Sequence, residues 1–133
     1  MIKGLNKLEV ITIFAEDLAA TRAFYENVFG LEVVWADEDS AVVRLEGLMI
    51  NILRVERADT LVEPRAVAGA EAGARLLLTI AVEDANAVHE DLKRHGVTIL
   101  NGPIDRPWGR RTVAFADPAG NVWEIAQILP PVS

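Results

Sequence analysis

Residues 8–15 and 75–82 are β-branched and aliphatic runs that each lead into Glu-Asp, with side chains falling alternately on two faces. Period-two alternation predicts strands, because successive side chains point to opposite faces. The period then changes. Over 18–29, Leu18, Phe24, Tyr25, Val28 and Phe29 fall on one stripe at helical spacing, and over 85–95 so do Ala85, Val88 and Leu92. Asp17 and Asp84 stand at the predicted N-caps, where a carboxylate accepts from the free N–H groups of the first turn. Gly30 and Gly96 follow the helices as residues able to take positive φ, and His95 suits the negative end of its helix. Shorter strands are predicted at 31–36, 40–46 and 48–55, then at 97–101, 110–116 and 121–128. Polar turns separate them at Asp37–Ser40 and at Asp117–Gly120, where Pro118 presets a type I turn and Gly120 supplies the left-handed position.

The predicted elements repeat. Thr12, Glu16 and Asp17 recur as Thr79, Glu83 and Asp84 at an offset of 67, and the turn glycines Gly47 and Gly120 precede the last strand of each copy. Several anchors in the same order argue for duplication. The expected fold class is α+β: two βαβββ modules, 8–57 and 74–129, within a single domain 1–133. Linker 58–73, rich in Ala and carrying Pro64, Gly69 and Gly73, is read as a connector with one short helical turn.

Alternation also assigns faces. Leu76, Leu78, Ile80 and Val82 form an aliphatic face expected to lie under a helix, which leaves Leu77, Thr79 and Ala81 on the inner, concave side. In the first strand Val10, Thr12 and Phe14 share the corresponding side. In the last strand Glu124 alternates with Trp123 and Ile125 and shares its side with Val122, Ala126 and Ile128. A buried, unpartnered carboxylate costs several kcal/mol or stays protonated. Glu124 therefore needs a metal, an arginine, a hydrogen-bond donor or water, or else lies solvated near a strand edge. Asn51 holds the equivalent place in the first copy.

Composition narrows the function. The chain has 133 residues, 51% hydrophobic and 25% charged, which excludes disorder and fits one domain. It has no cysteine, which excludes disulfides, thiol nucleophiles and thiolate metal sites. Ser40 and Ser133 are the only serines and no nucleophile elbow is present, which excludes a serine hydrolase; no phosphate-cradling glycine loop is present either. No apolar run approaches the roughly 18 residues of a membrane span, and the N-terminus has no apolar signal core, so a cytoplasmic protein with no membrane partner is expected. A net charge of −7 disfavours nucleic acid and would attract a cationic small molecule, unless it serves solubility alone.

Three motifs carry a resemblance: Glu16-Asp17-Leu18, then Phe24-Tyr25-Glu26-Asn27-Val28-Phe29-Gly30-Leu31, then Asp117-Pro118-Ala119-Gly120-Asn121-Val122-Trp123-Glu124-Ile125. Over roughly residues 8–129 the chain resembles the vicinal oxygen chelate superfamily of glyoxalases, bleomycin-resistance proteins and extradiol dioxygenases. The resemblance implies paired βαβββ modules whose curled sheets surround a concave pocket. It implies four ligand places in metal-dependent members, which fall here on Val10, Asn51, Leu77 and Glu124. Only Glu124 is a usual ligand, so no cofactor is expected and a divalent metal would find an incomplete ligand set. A bulge or register slip that turned Glu9 inward would pair it with Glu124. His89 and His95 lie on or beside the second helix, away from the inner face.

Segment 104–111 is read as a loop leading into a strand, and the resemblance implies that it borders the pocket mouth; Arg106 offers a fork for carboxylate or phosphate oxygens and Trp108 a stacking face. The alternative has Trp108 in the core and the arginines paired with acids. Expected ligand-binding positions are thus Val10, Thr12, Asn51, Leu77, Thr79, Arg106, Trp108 and Glu124. The preferred function is a protein that binds a small organic ligand without a complete metal site. The alternative is a glyoxalase-like lyase, isomerase or dioxygenase using Glu124 as metal ligand or general base. A regulatory scaffold ranks last, and a homodimer is expected.

Overall fold

The computed structural model describes residues 1–131, apart from the side chain of Asp59. The chain forms two compact units, Met1–Ala68 and Gly69–Ser133. In the first unit β1 (Val10–Ala15) is followed by α1 (Leu18–Asn27), β2 (Val33–Ala36), β3 (Ser40–Leu45), β4 (Leu48–Arg54) and α2 (Val55–Val62). In the second, a 3₁₀ turn at Ala70–Ala72 leads to β5 (Leu78–Ala81), α3 (Ala85–Arg94), β6 (Thr98–Arg106), β7 (Arg110–Ala116) and β8 (Val122–Ile128). The sheets have the same plan: order β1-β4-β3-β2 in one and β5-β8-β7-β6 in the other. The first and last strands of each unit pair in parallel and the remaining pairs are antiparallel. A parallel pair needs a long crossover, and in each unit the helix and two intervening strands provide it. The fold is α+β, built from two βαβββ units.

Helices α1 and α3 start where the sequence requires. Asp17 Oδ1 accepts from the Ala20 N–H and Asp84 Oδ1 from the Ala87 N–H, both at 3.0 Å. Gly30 and Gly96 follow with φ of +69° and +71°. The first core joins Ile13, Ala15, Val43, Ile50 and Ile52 to Thr21 and Tyr25 of α1, all buried. Tyr25 meets Phe24 edge-on and Phe29 at a tilt, with ring centroids 5.1 Å apart in both pairs. The second core joins Val113, Phe115, Trp123 and Ile125 to Ala85 and Leu92 of α3. Gln127 shares the Trp123 face of β8, and its Oε1 accepts from the Ala85 N–H at 2.8 Å. This caps the start of α3 from the sheet and fixes α3 over that face.

Two elements differ from the sequence expectation. Where one short helical turn was expected in the connector, the two-turn helix α2 starts at Val55, at the end of the expected strand 48–55; it packs against β1 and β4 and buries Ala58 completely. Val55 reads as the last residue of the preceding strand, which hid the start of this helix. The segment 104–111, expected as a loop leading into the strand 110–116, does enter β7 at Arg110, but β6 runs on to Arg106 rather than ending near 101, which leaves only a turn at Pro107–Gly109. The Gly109 N–H donates to the Arg106 carbonyl at 3.0 Å, and φ of +80° at Gly109 returns the chain into β7.

The β2–β3 turn is held by Asp37, whose Oδ1 accepts from the Asp39 and Ser40 N–H groups, each at 2.9 Å. The Asp39 backbone N–H foremost, then the Ser40 N–H and hydroxyl, hold this carboxyl below its ordinary pKa. A depressed folded-state pKa contributes stability that is present above the ordinary carboxylate value and lost as pH falls through the folded value. The urea midpoint is therefore expected to fall below about pH 4, and Asp37→Asn should flatten that acid limb in denaturation curves taken between pH 6 and pH 3. An unchanged acid limb in the variant would remove Asp37 from this role.

Candidate functional site

Strand alternation and register place Glu124 on the face of the second sheet turned away from α3. Its Cα partners are Thr79 on β5 and Ala114 on β7, and Asn101 on β6 completes the row. The Thr79 hydroxyl donates to Glu124 Oε1 at 3.0 Å. The sequence demanded a partner for this carboxylate, and the partner is a neutral donor from the neighbouring strand. Glu124 is half-buried, and among the described residues its second oxygen has no protein partner. Val122 stands two residues before it on the same face, and toward the β6–β7 turn the neighbouring side chains are small. Ala81, Ala114 and Ala126 flank the carboxylate along and across the strands, and the next apolar residues outward are Ile104 and Ile128, both exposed. The result is a low floor with one oriented acid on it.

Asn101 and Thr112 hold Arg106 on this same face. Arg106 Nε donates to Thr112 Oγ1 at 3.0 Å and its Nη2 to Asn101 Oδ1 at 3.3 Å. Thr112 itself is buried. Arg111 alternates to the opposite face and pairs with Asp105 through both nitrogens, at 2.6 and 3.1 Å. The Arg111 hydrogen bond foremost, and its charge, hold the Asp105 carboxyl below the ordinary range. Of the two readings of Trp108, the core one is excluded: it projects from the hairpin turn with 67% of its surface exposed.

The other expected positions divide between the units. Val10, Thr12 and Asn51 lie on the corresponding face of the first sheet, where Thr12 and Asn51 are Cα partners as Thr79 and Glu124 are in the second. Leu77 is exposed just before β5. Glu9 is exposed ahead of β1, and the β1–β4 register runs from Val10 to Ala15 without a bulge. Alternation therefore puts Glu9 on the side of Ile11 and Ile13, not with Thr12. His95 caps α3 through its ring, with Nδ1 2.8 Å from the Asp91 carbonyl, and His89 lies beside Glu90 on α3.

A concave feature in the first unit escaped the sequence reading. A cavity of about 380 Å³ in the first unit lies between the start of α1 and the β2–β3 turn, lined by Arg22, Asp37, Glu38 and Arg54 among others. Its charges already serve local structure. Arg22 pairs with Glu26, Arg54 with Asp39 and Glu56, and Asp37 with the turn backbone.

The family model described as Glyoxalase/Bleomycin resistance protein/Dioxygenase superfamily matches residues 7–125. The chain belongs to this superfamily. Among its relatives, the uncharacterized Bacillus subtilis protein YraH is 29% identical over 127 residues, covering 92% of this chain and 99% of that protein. A virulence protein of Salmonella typhimurium is 25% identical over 126 residues, covering 92% and 85%. A glyoxalase/bleomycin resistance protein/dioxygenase from Nocardioides has the same fold at a TM-score of 0.86 and 18% identity, covering 99% of this chain and 89% of that one. So does a lactoylglutathione lyase from Agrobacterium tumefaciens, at 0.73 and 22%, covering 94% and 96%.

Metal chemistry within the superfamily raises the question whether this donor set suits a divalent ion. Val10 and Leu77 have no donor atom and Asn51 offers a neutral amide. Among the described residues no three His, Cys, Asp or Glu side chains gather closely enough to hold a metal. A catalytic site needs about three protein ligands, so the residues present do not fit one. Among the described residues no helix is long and apolar enough to cross a membrane.

Proposed function

We propose that the chain binds a small organic ligand directly on the Glu124 face of the second sheet, with no resident metal. The observation that carries this reading is the Thr79–Glu124 hydrogen bond on a floor of alanines. A neutral donor orients the acid without neutralising it, and the small neighbours leave room above it for an apolar or aromatic body. The unpartnered oxygen suits an N–H or O–H donor, or a cation, on the ligand. An acidic chain of net charge −7 favours the approach of a positive group.

A thermal-shift screen of small carbonyl compounds and cationic antibiotics tests the reading. A ligand present at 100 times its Kd should stabilise the protein by about 2.7 kcal/mol. Glu124→Gln should remove that stabilisation, and Thr79→Val should weaken binding by about 1 kcal/mol through the lost orientation. Equal binding to wild type and Glu124→Gln would contradict the proposal.

The same geometry favours a second reading. An acid with one oxygen pinned and the other open is placed as a general base would be, in a lyase or isomerase of the glyoxalase type. General-base catalysis contributes roughly 10²–10⁴-fold, so turnover lost by that factor in Glu124→Gln, with ligand binding kept, would decide for the enzyme. We further propose a cytoplasmic homodimer. Leu76, Leu77 and Ile128 expose 60%, 49% and 70% of their surfaces, and apolar side chains of this size in one unit suit burial against a second copy. Sedimentation at micromolar concentration should give twice the mass of 14.5 kDa, and a monomer would contradict it.

A further inference from the structure

Arg106 and Arg110 are direct Cα partners across the β6–β7 hairpin, so their side chains leave the same face of the sheet, with Cβ atoms roughly 5 Å apart. Both are half-buried. Like charges set opposite one another destabilise a strand pair, and this chain has an excess of acids, 20 against 13 cations, with which to relieve them. It does not do so here. Among the described residues neither guanidinium has a carboxylate within ion-pair distance, whereas Arg111 beside them has Asp105. Their partners are neutral: Thr112 and Asn101 for Arg106, and the Gly109 carbonyl, at 3.2 Å, for Arg110. Neutral acceptors fix the direction of a guanidinium and leave its charge uncompensated. Two oriented, uncompensated guanidiniums side by side form a receptor for one oxyanion: among the described residues the Nε–Nη2 edge of Arg110 stays open, and Arg106, whose Nε and one Nη2 proton are engaged, keeps Nη1 and its second Nη2 proton for a carboxylate or phosphate oxygen.

The geometry points to an anion subsite at Arg106 and Arg110 that takes the carboxylate or phosphate group of the ligand whose other end meets Glu124. This inference rests on the proposed role of the Glu124 face and narrows its ligand class. Asn101 draws the Arg106 guanidinium toward the row Asn101–Ala114–Glu124. Two strand spacings separate β6 from β8 in that row, roughly 10 Å. The ligand is therefore a short organic acid or phosphate ester with an N–H or O–H donor, or a cation, at its far end.

The test uses arginine Nε–H NMR signals of the labelled full chain, titrated with inorganic phosphate and separately with malonate at constant ionic strength. The expected result is saturable shifts at Arg106 and Arg110 and none at Arg94, which is paired with Asp91 on α3. Arg106→Gln or Arg110→Gln should weaken phosphate binding at least tenfold, and Arg94→Gln should not change it. Arg110→Lys keeps the charge and the packing of the stem, and should still lose several-fold because the fork is gone. The preference between phosphate and malonate distinguishes the two oxyanion classes. Linear shifts of equal size at Arg94 and Arg106 would overturn the subsite. So would a double Arg106→Gln, Arg110→Gln variant that falls from dimer to monomer while wild type binds neither probe, since the pair would then be receiving an acid from a second copy. Phosphate binding at the arginines without any Glu124-dependent ligand would defeat the reading of the Glu124 face and leave the subsite standing. A Glu124-dependent ligand without phosphate binding would do the reverse.

Discussion

Gly102→Ala should destabilise the protein by about 3 kcal/mol or more, the largest loss expected of any glycine substitution here. Gly102 lies inside β6, where two register shifts bend the strand against β7. Its φ is +97°, and a Cβ built there would overlap the Thr112 carbonyl oxygen and lie 2.9 Å from the Val113 Cα. Both obstacles are backbone atoms of the paired strand, so the strands must part to admit one methyl group. The damage would reach function, because Asn101 and Thr112 are the two residues that hold Arg106. Gly109→Ala provides the control. Its φ is +80° but nothing lies within 4 Å of a Cβ there, so only the left-handed backbone penalty of roughly 1–2 kcal/mol applies. Urea denaturation of the two variants should separate steric overlap from backbone strain. Equal losses would show that the close approach of β6 to β7 is not what requires glycine.

Asp117→Ala should cost about 3 kcal/mol, because it strips acceptors from at least three donors at once. The Asp117 carboxylate is buried and accepts from the Ala119 and Asn121 N–H groups at 2.9 and 2.8 Å and from Asn121 Nδ2 at 2.9 Å. These bonds close the β7–β8 turn, and Glu124 stands three residues beyond Asn121. Loss of the turn would therefore loosen the register that aligns Glu124 with Thr79. Asp117→Asn keeps one acceptor oxygen and should recover about half of the loss. The check is again chemical denaturation, with the Thr79 and Glu124 NMR shifts as a local readout. A loss under about 1 kcal/mol in Asp117→Ala would mean that the turn closes without this carboxylate.

The duplication was legible because it is written in positions that only local physics decides. Thr12 and Thr79 recur at the same distance before the capping acids Asp17 and Asp84, and both acids cap as their chemistry requires. The faces were legible for the same reason: a period of two leaves Glu124 one side to occupy once Trp123 and Ile125 take the other. The tertiary partner of that acid was not legible. Thr79 stands 45 residues away, and only the parallel register of β5 with β8 sets it opposite Glu124. The Arg106–Arg110 pair was hidden by the turn. Arg106, Arg110 and Arg111 look alike in sequence, and which two share a face depends on the three-residue turn at Pro107–Gly109. The helix α2 was hidden because Val55 reads as the end of the preceding strand and Ala58 becomes a core residue only through contact with the sheet. The turn at Asp117–Gly120 was legible from Pro118 and Gly120, but the bonds that its buried carboxylate makes to Ala119 and Asn121 depend on how the chain folds back into β8.

The central claim is that Glu124 meets its ligand directly, without an ion between them. Elemental analysis tests this most directly: chelator-treated protein is incubated with Zn, Ni, Mn and Fe, desalted and measured per chain. The account predicts well under one equivalent of every metal, and the same low content in Glu124→Gln. One tightly retained equivalent in wild type, lost in Glu124→Gln, would contradict it.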